Sequence, residues 1–541
     1  MSATRQNGDS GTPPGDAMQE RIAREESRRI PRDQLLMGAI FLALAAVLRL
    51  VFISQREIFG NEYFTIAFMS EAQPRARSEP ILSIMYGQLP LYYEMIRLWG
   101  QFTDTSSEWL LRLPSALFGL LACGAFFMFA RRYLRGIAFA VCLAGFTLNP
   151  TLIAVSDQTN SFALLSLWVV LSNYYCIRAL DEDGRRNWVF YGIFSALGAV
   201  THPLFWFVLL SQFVFAVARP RKTPHPYLLF SLAGIFICIL MMISAAIYAE
   251  QYLPRKVDVQ APAIDDLARG LVAVTLGNFP RYGSREFVTA VMYLFLIVAL
   301  ILGYFYYRMR AKEAAALPDN IVWVDETHDV VGNWKRLSLA SFLAYQWAAF
   351  GVPALCIMML GSFSPDVRLH PEYFIVCLPP LLILVAAGID AAPGVIGKGV
   401  MIVIFAAFMV CYNYLGLTDP GYGVRIAFDR LKQEEFNPQK DALLFINYSG
   451  LEKPVERYSG GVKFTEFNKQ MRIEDTASRL DQVTSGTDQV FVFYHDDSRR
   501  IGKDIRSPAR EWFAMSKFKH DSKWDLSQAA KTELRVYKRM Q

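Results

Sequence analysis

The chain has 541 residues, of which 53% are hydrophobic, 14% aromatic and only 19% charged. A water-soluble protein of this length carries more charge and fewer long apolar runs, so a soluble enzyme is excluded and a polytopic α-helical membrane protein is expected. The net charge of +6 sits mostly in short loops, where Lys and Arg report topology and not a nucleic-acid partner.

Residues 1–33 are polar and rich in Gly, Pro and mixed charges, and read as a disordered cytoplasmic tail with a surface helix over 18–32. No apolar core opens the chain, so no cleavable signal peptide is expected. Arg28, Arg29 and Arg32 favour keeping this end in the cytoplasm. The membrane part is expected over 34–416, with about eleven apolar runs near the ~20 residues that cross a bilayer. They lie at 34–54, 110–130, 137–155, from 160 to 178, as a pair within 188–218, and at 227–249, 287–307, 338–361, 372–390 and 397–416. The pair is divided at Thr201-His202-Pro203, because proline disfavours a continuous helix there. Two long outer loops remain, 55–108 and 250–285, and within the first the stretch 89–99 reads as an interfacial helix.

Alternating sides through these spans puts nearly every basic short loop on one face, including Arg131, Arg132, Arg135, Arg178, Arg185, Arg186, Arg308, Arg310 and Lys312. The stretch 417–541 then falls outside. Strand patterns at 442–447, 489–495 and 534–538, with helix-like stretches between, make it a small extramembrane α/β domain. All seven cysteines, Cys123, Cys142, Cys176, Cys238, Cys356, Cys377 and Cys411, fall inside apolar runs, and no C-x-x-C pair occurs. They read as small hydrophobes in helix packing, not as disulfides or thiolate metal ligands.

One acidic residue follows the first span directly, in Phe59-Gly60-Asn61-Glu62-Tyr63. A carboxylate at a membrane surface is costly unless used, and the other reading is a solvated loop residue. Downstream come Gln88-Leu89-Pro90-Leu91-Tyr92-Tyr93, then Arg112-Leu113-Pro114-Ser115-Ala116-Leu117-Phe118-Gly119, then Thr201-His202, then Arg368 with Pro371 to Pro380. In this order the segments resemble the GT-C glycosyltransferases, in the branch of dolichyl-phosphate-mannose protein mannosyltransferases and bacterial aminoarabinose transferases. The resemblance covers 34–416 in layout. It implies transfer of a sugar from a polyprenyl-phosphate donor to a lipid, polysaccharide or protein acceptor on the periplasmic side of a bacterial inner membrane. Against the branch's pattern, Asn61 replaces an Asp, Gln88 replaces a His, and Asp157-Gln158-Thr159-Asn160-Ser161-Phe162 replaces an Arg-bearing segment.

Such a transfer needs a base or an orienting carboxylate at the acceptor and positive charge on the departing phosphate. Glu62 is the candidate for the first role, beside Asn61, whose amide hydrogen-bonds but takes no proton. Arg368 is the candidate phosphate clamp, since a guanidinium grips phosphate bidentately; an interfacial anchor is its other reading. His202, at the helix break, is a candidate for phosphate or a divalent metal, or a structural residue of the kink. Gln88, Tyr92 and Arg281 are candidate substrate contacts, with Tyr92 and its neighbours also reading as interface anchors. The residues fix no cofactor, and a divalent metal stays an open reading, since no dense His/carboxylate cluster decides it. The altered motif positions motivate a rival reading: a catalytically inactive relative that binds lipid-linked sugar or a partner enzyme. A transporter is a third reading, opposed by the large outer loops and the absence of inverted repeats.

Overall fold

The computed structural model describes residues 32–54, 58, 62, 65–66, 90–104, 107–182, 185–218, 264–276, 285–315, 339–363, 371–418, 428, 436–437, 439–446, 464–467, 473–495, 513, 515, 517–521 and 532–539. The membrane helices in chain order are α1 (Arg32–Leu50), α2 (Pro90–Phe102), α3 (Glu108–Tyr133), α4 (Gly136–Thr147), α5 (Pro150–Ser156), α6 (Phe162–Glu182), α7 (Arg185–Ala199), α8 (Phe205–Ala218), α9 (Ile264–Leu276), α10 (Arg285–Ala315) and α11 (Leu339–Phe363). A 3-10 turn (Pro371–Cys377) then leads into α12 (Leu378–Asp390), followed by α13 (Gly394–Thr418). The extramembrane unit holds β1 (Asp441–Ile446), β2 (Thr465–Phe467), α14 (Ile473–Thr484), β3 (Gln489–His495), β4 (Phe518–Asp521) and β5 (Thr532–Arg539).

Eight helical stretches among the described residues are long and apolar enough to cross a membrane. They match eight of the expected spans, and α7 and α8 are the shorter pair divided at His202. The span expected at 227–249 lies outside the described residues. The centre of the bundle is α12, whose residues from Leu378 to Ile389 are all buried, as befits a helix apolar on every side. On its flank, α10 approaches until backbones touch: a Cβ on Gly388 would lie 1.9 Å from the Ala299 carbonyl oxygen, and one on Gly303 2.8 Å from that of Leu384. Small residues at such crossings replace the hydrophobic drive that lipid removes. In contrast α1 and α13 show apolar side chains outward, Leu36 and Val403 among them, as lipid-facing helices do.

The span expected at 137–155 is broken, and the break is chemically complete. Asn149 caps α5 through its side-chain oxygen, which accepts from the Leu152 N–H at 3.0 Å, with Pro150 as first helical residue. Its Nδ2 donates to the Val274 and Thr275 carbonyls, which end α9. The carbonyls freed at the end of α4 also find donors: Arg49 serves Thr147 at 3.1 Å and Asn413 serves Leu148 at 2.7 Å. Within the second outer loop, 250–285, α9 is an element the hydropathy reading did not contain. Its Gly270 lies under the ring of Phe374.

Five arginines stack over aromatic rings: Arg131 on Phe127, Arg132 on Tyr133, Arg178 on Tyr174, Arg186 on Phe190 and Arg310 on Tyr306. All lie at ends of α3, α6, α7 and α10 that the alternation of helices puts on one side. They form a belt in which the stem lies on apolar surface and the charge reaches water.

The extramembrane unit is a five-stranded sheet in the order β2-β1-β3-β5-β4. Strands β2, β1 and β3 are parallel, while β5 runs antiparallel to β3 and to β4. The three expected strands are present, joined by β2 and β4. Leu444 pairs with Val492 in register, and Leu480 of α14 joins Val490, Val492 and Phe513 in the core.

Candidate functional site

At the end of the bundle opposite the arginine belt, six stretches remote in sequence meet. They are the residues Ile53, Ile58, Glu62, Thr65 and Ile66, the start of α2, the first turns of α3, the turn 156–161, the break 200–204 and the 3-10 turn Pro371–Cys377. The junction begins at Arg112, one turn into α3. Its Nε and Nη2 donate to the two oxygens of Glu62 at 2.9 and 2.8 Å, and its Nη1 donates to the Ile53 carbonyl at 3.0 Å. Both side chains are buried, Glu62 at 2% exposure and Arg112 at 1%. The planar fork of Arg suits a carboxylate in this two-pronged way, and burial makes the pair unforgiving of losing one partner. Glu62 Oε1 also accepts from the backbone N–H of Thr159 at 2.9 Å. Ile58 packs on Leu111 beside it, and the Tyr93 hydroxyl bonds Thr65, so the first outer segment is held to both α2 and α3.

The turn 156–161 is the hub. Ser156, Asp157, Thr159, Asn160 and Ser161 are all buried, so their polar groups must be answered inside the protein. Asn160 Oδ1 accepts from the Phe162 N–H at 3.1 Å and opens α6, while its Nδ2 donates to Gln158 at 2.9 Å. The Thr159 hydroxyl donates to the Leu111 carbonyl. Ser156 Oγ accepts from Arg49 Nε at 3.3 Å and donates to the Leu152 carbonyl at 2.6 Å. Arg49 is itself wholly buried and also donates to the Ala45 and Thr147 carbonyls. Gly119 makes room for this contact: a Cβ there would lie 2.1 Å from Ser156 Oγ and 3.2 Å from Arg49 Nε.

The wall continues through Tyr92, whose hydroxyl pairs with Ser115 Oγ at 2.8 Å. Its ring is fully buried, and burial drives its pKa well above the ordinary 10.0. Tyr92 is therefore a wall residue and not an interface anchor. The anchoring face of α2 is the other one, where Leu98 and Phe102 are exposed. The start of α2 touches the helix break, the Leu91 N–H donating to the Val200 carbonyl at 3.3 Å. At the break, His202 is 8% exposed and lies 4.9 Å, centroid to centroid, from Phe162. Its Nδ1 accepts from the Leu204 N–H at 3.2 Å, which leaves the proton on Nε2. Burial pulls its pKa from 6.5 down to about 3, so the ring is neutral at ordinary pH. Tyr373, next to Glu372, also lies against Phe162, 6.4 Å away centroid to centroid.

Of the residues singled out in the sequence, Glu62, Tyr92 and His202 thus belong to one connected region. Asn61, Gln88, Arg281 and Arg368 lie outside the described residues. Arg49, Arg112, Thr159, Phe162 and Glu372 had been given no role. Arg112 was visible as the first residue of a motif, but its partner is 50 positions upstream. Among the described residues no group of three or more His, Cys, Asp or Glu side chains is arranged to hold a metal ion.

A family model described as dolichyl-phosphate-mannose-protein mannosyltransferase matches residues 89–244. Among curated proteins, none matches the chain. Among solved structures, the chain is similar to ArnT from Cupriavidus metallidurans in the apo state, at 13% identity and a TM-score of 0.46, covering 92% of this chain and 97% of that one. The same protein bound to undecaprenyl phosphate gives 12% identity and a TM-score of 0.44 over the same shares. The archaeal oligosaccharyltransferase AglB from Archaeoglobus fulgidus, in complex with an inhibitory peptide and a dolichol-phosphate, gives 10% identity and a TM-score of 0.36, covering 84% of this chain and 69% of that one. The chain is a multi-pass membrane protein that resembles membrane glycosyltransferases over the family-matched region.

Proposed function

We propose that the chain is an integral-membrane glycosyltransferase. It would move a sugar from a polyprenyl-phosphate donor to a lipid, glycan or protein acceptor at the outer face of a bacterial inner membrane. The observation that carries this reading is the buried junction of Glu62, Arg112 and Thr159. It locks an outer segment onto the mouth of the bundle, where a lipid-borne phosphate and a water-borne acceptor can meet. The family-matched stretch 89–244 supports it, since it contains Tyr92, Arg112, the turn 156–161 and His202.

In this reading Glu62 is an orienting carboxylate, fixed by Arg112, next to Asn61. Arg368 clamps the donor phosphate, and His202 offers its Nε2 proton to a phosphate oxygen or, with that proton shifted to Nδ1 and the Leu204 bond given up, its Nε2 lone pair to a divalent metal. Gln88, Tyr92 and Arg281 shape the sugar and acceptor side. In the same reading the arginine belt faces the cytoplasm, with this site and the sheet unit outside.

The test is transfer in proteoliposomes, using a panel of short polyprenyl-phosphate-linked hexoses and pentoses with a membrane lipid extract as acceptor. Transfer by the wild type, with loss in Arg368→Ala, is the expected result. One observation favours the rival, an inactive relative: both Glu62 oxygens are already engaged and Asn61 supplies no acid. Tight donor binding without turnover of any donor would select that rival.

A further inference from the structure

We propose that Glu372 is the carboxylate that takes the acceptor's proton in the transfer described above, an assignment that rests on that reading. A base must be reachable and have an oxygen to spare. Glu62 has neither property, being 2% exposed with three hydrogen bonds to its two oxygens. Glu372 has both. It keeps part of its surface exposed, and among the described residues its carboxylate accepts no hydrogen bond and forms no ion pair.

Its position is rigid. Phe374, two residues on, is fully buried and wedged over Gly270 of α9, and Ile375, Val376 and Cys377 are buried behind it. Tyr373 carries the turn onto Phe162, and Phe162 carries it onto His202. Glu372 therefore stands next to a residue that touches the site described above, Tyr373 lying 6.4 Å from Phe162. Among the described residues, the titratable groups on the turn and on the elements packed against it include Tyr373 beside it, His202 beyond Phe162, Asp157 closing α5, Asp265, Asp266 and the exposed Arg269 on α9, Cys356 on α11 and Cys377 at the end of the turn. Residues 364–370 lie outside the described residues.

The step balances as follows. The acceptor oxygen forms a bond to the sugar's anomeric carbon as its proton passes to a Glu372 oxygen. The bond from that carbon to the phosphate oxygen breaks, and polyprenyl phosphate leaves with the electron pair. Glu372 then returns its proton to water.

The full-length protein in proteoliposomes, with the donor that the wild type turns over, provides the test. Glu372→Gln keeps the shape and removes the base, so kcat should fall about 100-fold or more. The KM for donor should stay within about twofold, and the acidic limb of the pH–rate profile should vanish. Glu372→Asp should keep that limb at a reduced rate, and it decides the matter should the Gln variant not fold: an unchanged rate and limb overturn the assignment. Wild-type turnover with undiminished kcat in Glu372→Gln overturns it while leaving the glycosyltransferase reading intact. Absence of turnover in the wild type with every donor overturns both.

Discussion

Arg112 and Glu62 face each other through two parallel N–H···O bonds of 2.9 and 2.8 Å, buried between α3 and a segment 50 residues earlier. Removing one partner leaves the other as a lone buried charge. Arg112→Ala should therefore destabilise the protein by about 3–5 kcal/mol. The double change Glu62→Leu with Arg112→Met should recover most of that loss without restoring transfer. Thermal unfolding in detergent, with the two single variants and the double, checks both points. A double variant as unstable as Arg112→Ala would reject charge burial as the cause.

Gly119 and Gly124 lie five residues apart on α3 and should respond oppositely to a methyl group. At Gly119 the new Cβ meets Ser156 Oγ at 2.1 Å, so the Arg49–Ser156 contact must shift, at about 1–3 kcal/mol. At Gly124 nothing lies within 4 Å. There, Ala should be neutral or stabilising by about 0.5–1 kcal/mol, since glycine is the poorer helix former. Unfolding midpoints of Gly119→Ala and Gly124→Ala measure the contrast, and transfer should fall only in the first.

His202 binds a proton far more readily in the unfolded chain, near pH 6.5, than when folded, near pH 3. Between these values the unfolded state holds more protons, so stability rises with pH. The contribution is complete above about pH 6.5 and is lost progressively as the pH falls towards 3. His202→Phe should flatten the dependence of the unfolding midpoint on pH between 7 and 4. An unchanged slope would show that other groups set it.

Inside the bundle, Gln212 of α8 ties three helices. Its Nε2 donates to Ser172 and Asn173 at 3.0 Å each, and its Oε1 accepts from Tyr191 at 3.0 Å and from Ser172 at 3.3 Å. The Tyr345 hydroxyl joins through Asn173 and Ser195 through Ser172. Gln212→Leu leaves several buried groups unanswered and should cost about 1–3 kcal/mol. Gln346 of α11 is equally buried, yet neither amide atom has a hydrogen-bond partner among the described residues. Gln346→Leu should be neutral or stabilising. Unfolding of the two variants side by side tests whether pairing, and not polarity, decides the effect.

The spans were legible because apolar length is a property of the sequence alone. The paired helices around His202 were legible too, since Thr201-His202-Pro203 interrupts an overlong run. The break at Asn149–Pro150 was not, because hydropathy is unbroken through it; its local sign is an N-capping residue followed by proline at the first helical position. The site was half legible. Glu62 and His202 stood out by residue type and setting, but their states came from partners 50 and 40 residues away, Arg112 and Phe162. Glu372 escaped notice because Arg368 nearby carries the more familiar phosphate chemistry.

Gly303 and Gly388 let α10 and α12 cross with no side chain between them. That crossing is where a change in packing would have the most leverage on the arm above it. It lies towards the Asp390 end of α12, while Glu372 and Tyr373 ride at the other end of the same arm. A side chain wedged into the crossing would tilt the arm slightly at its base and swing those two residues much further at its tip.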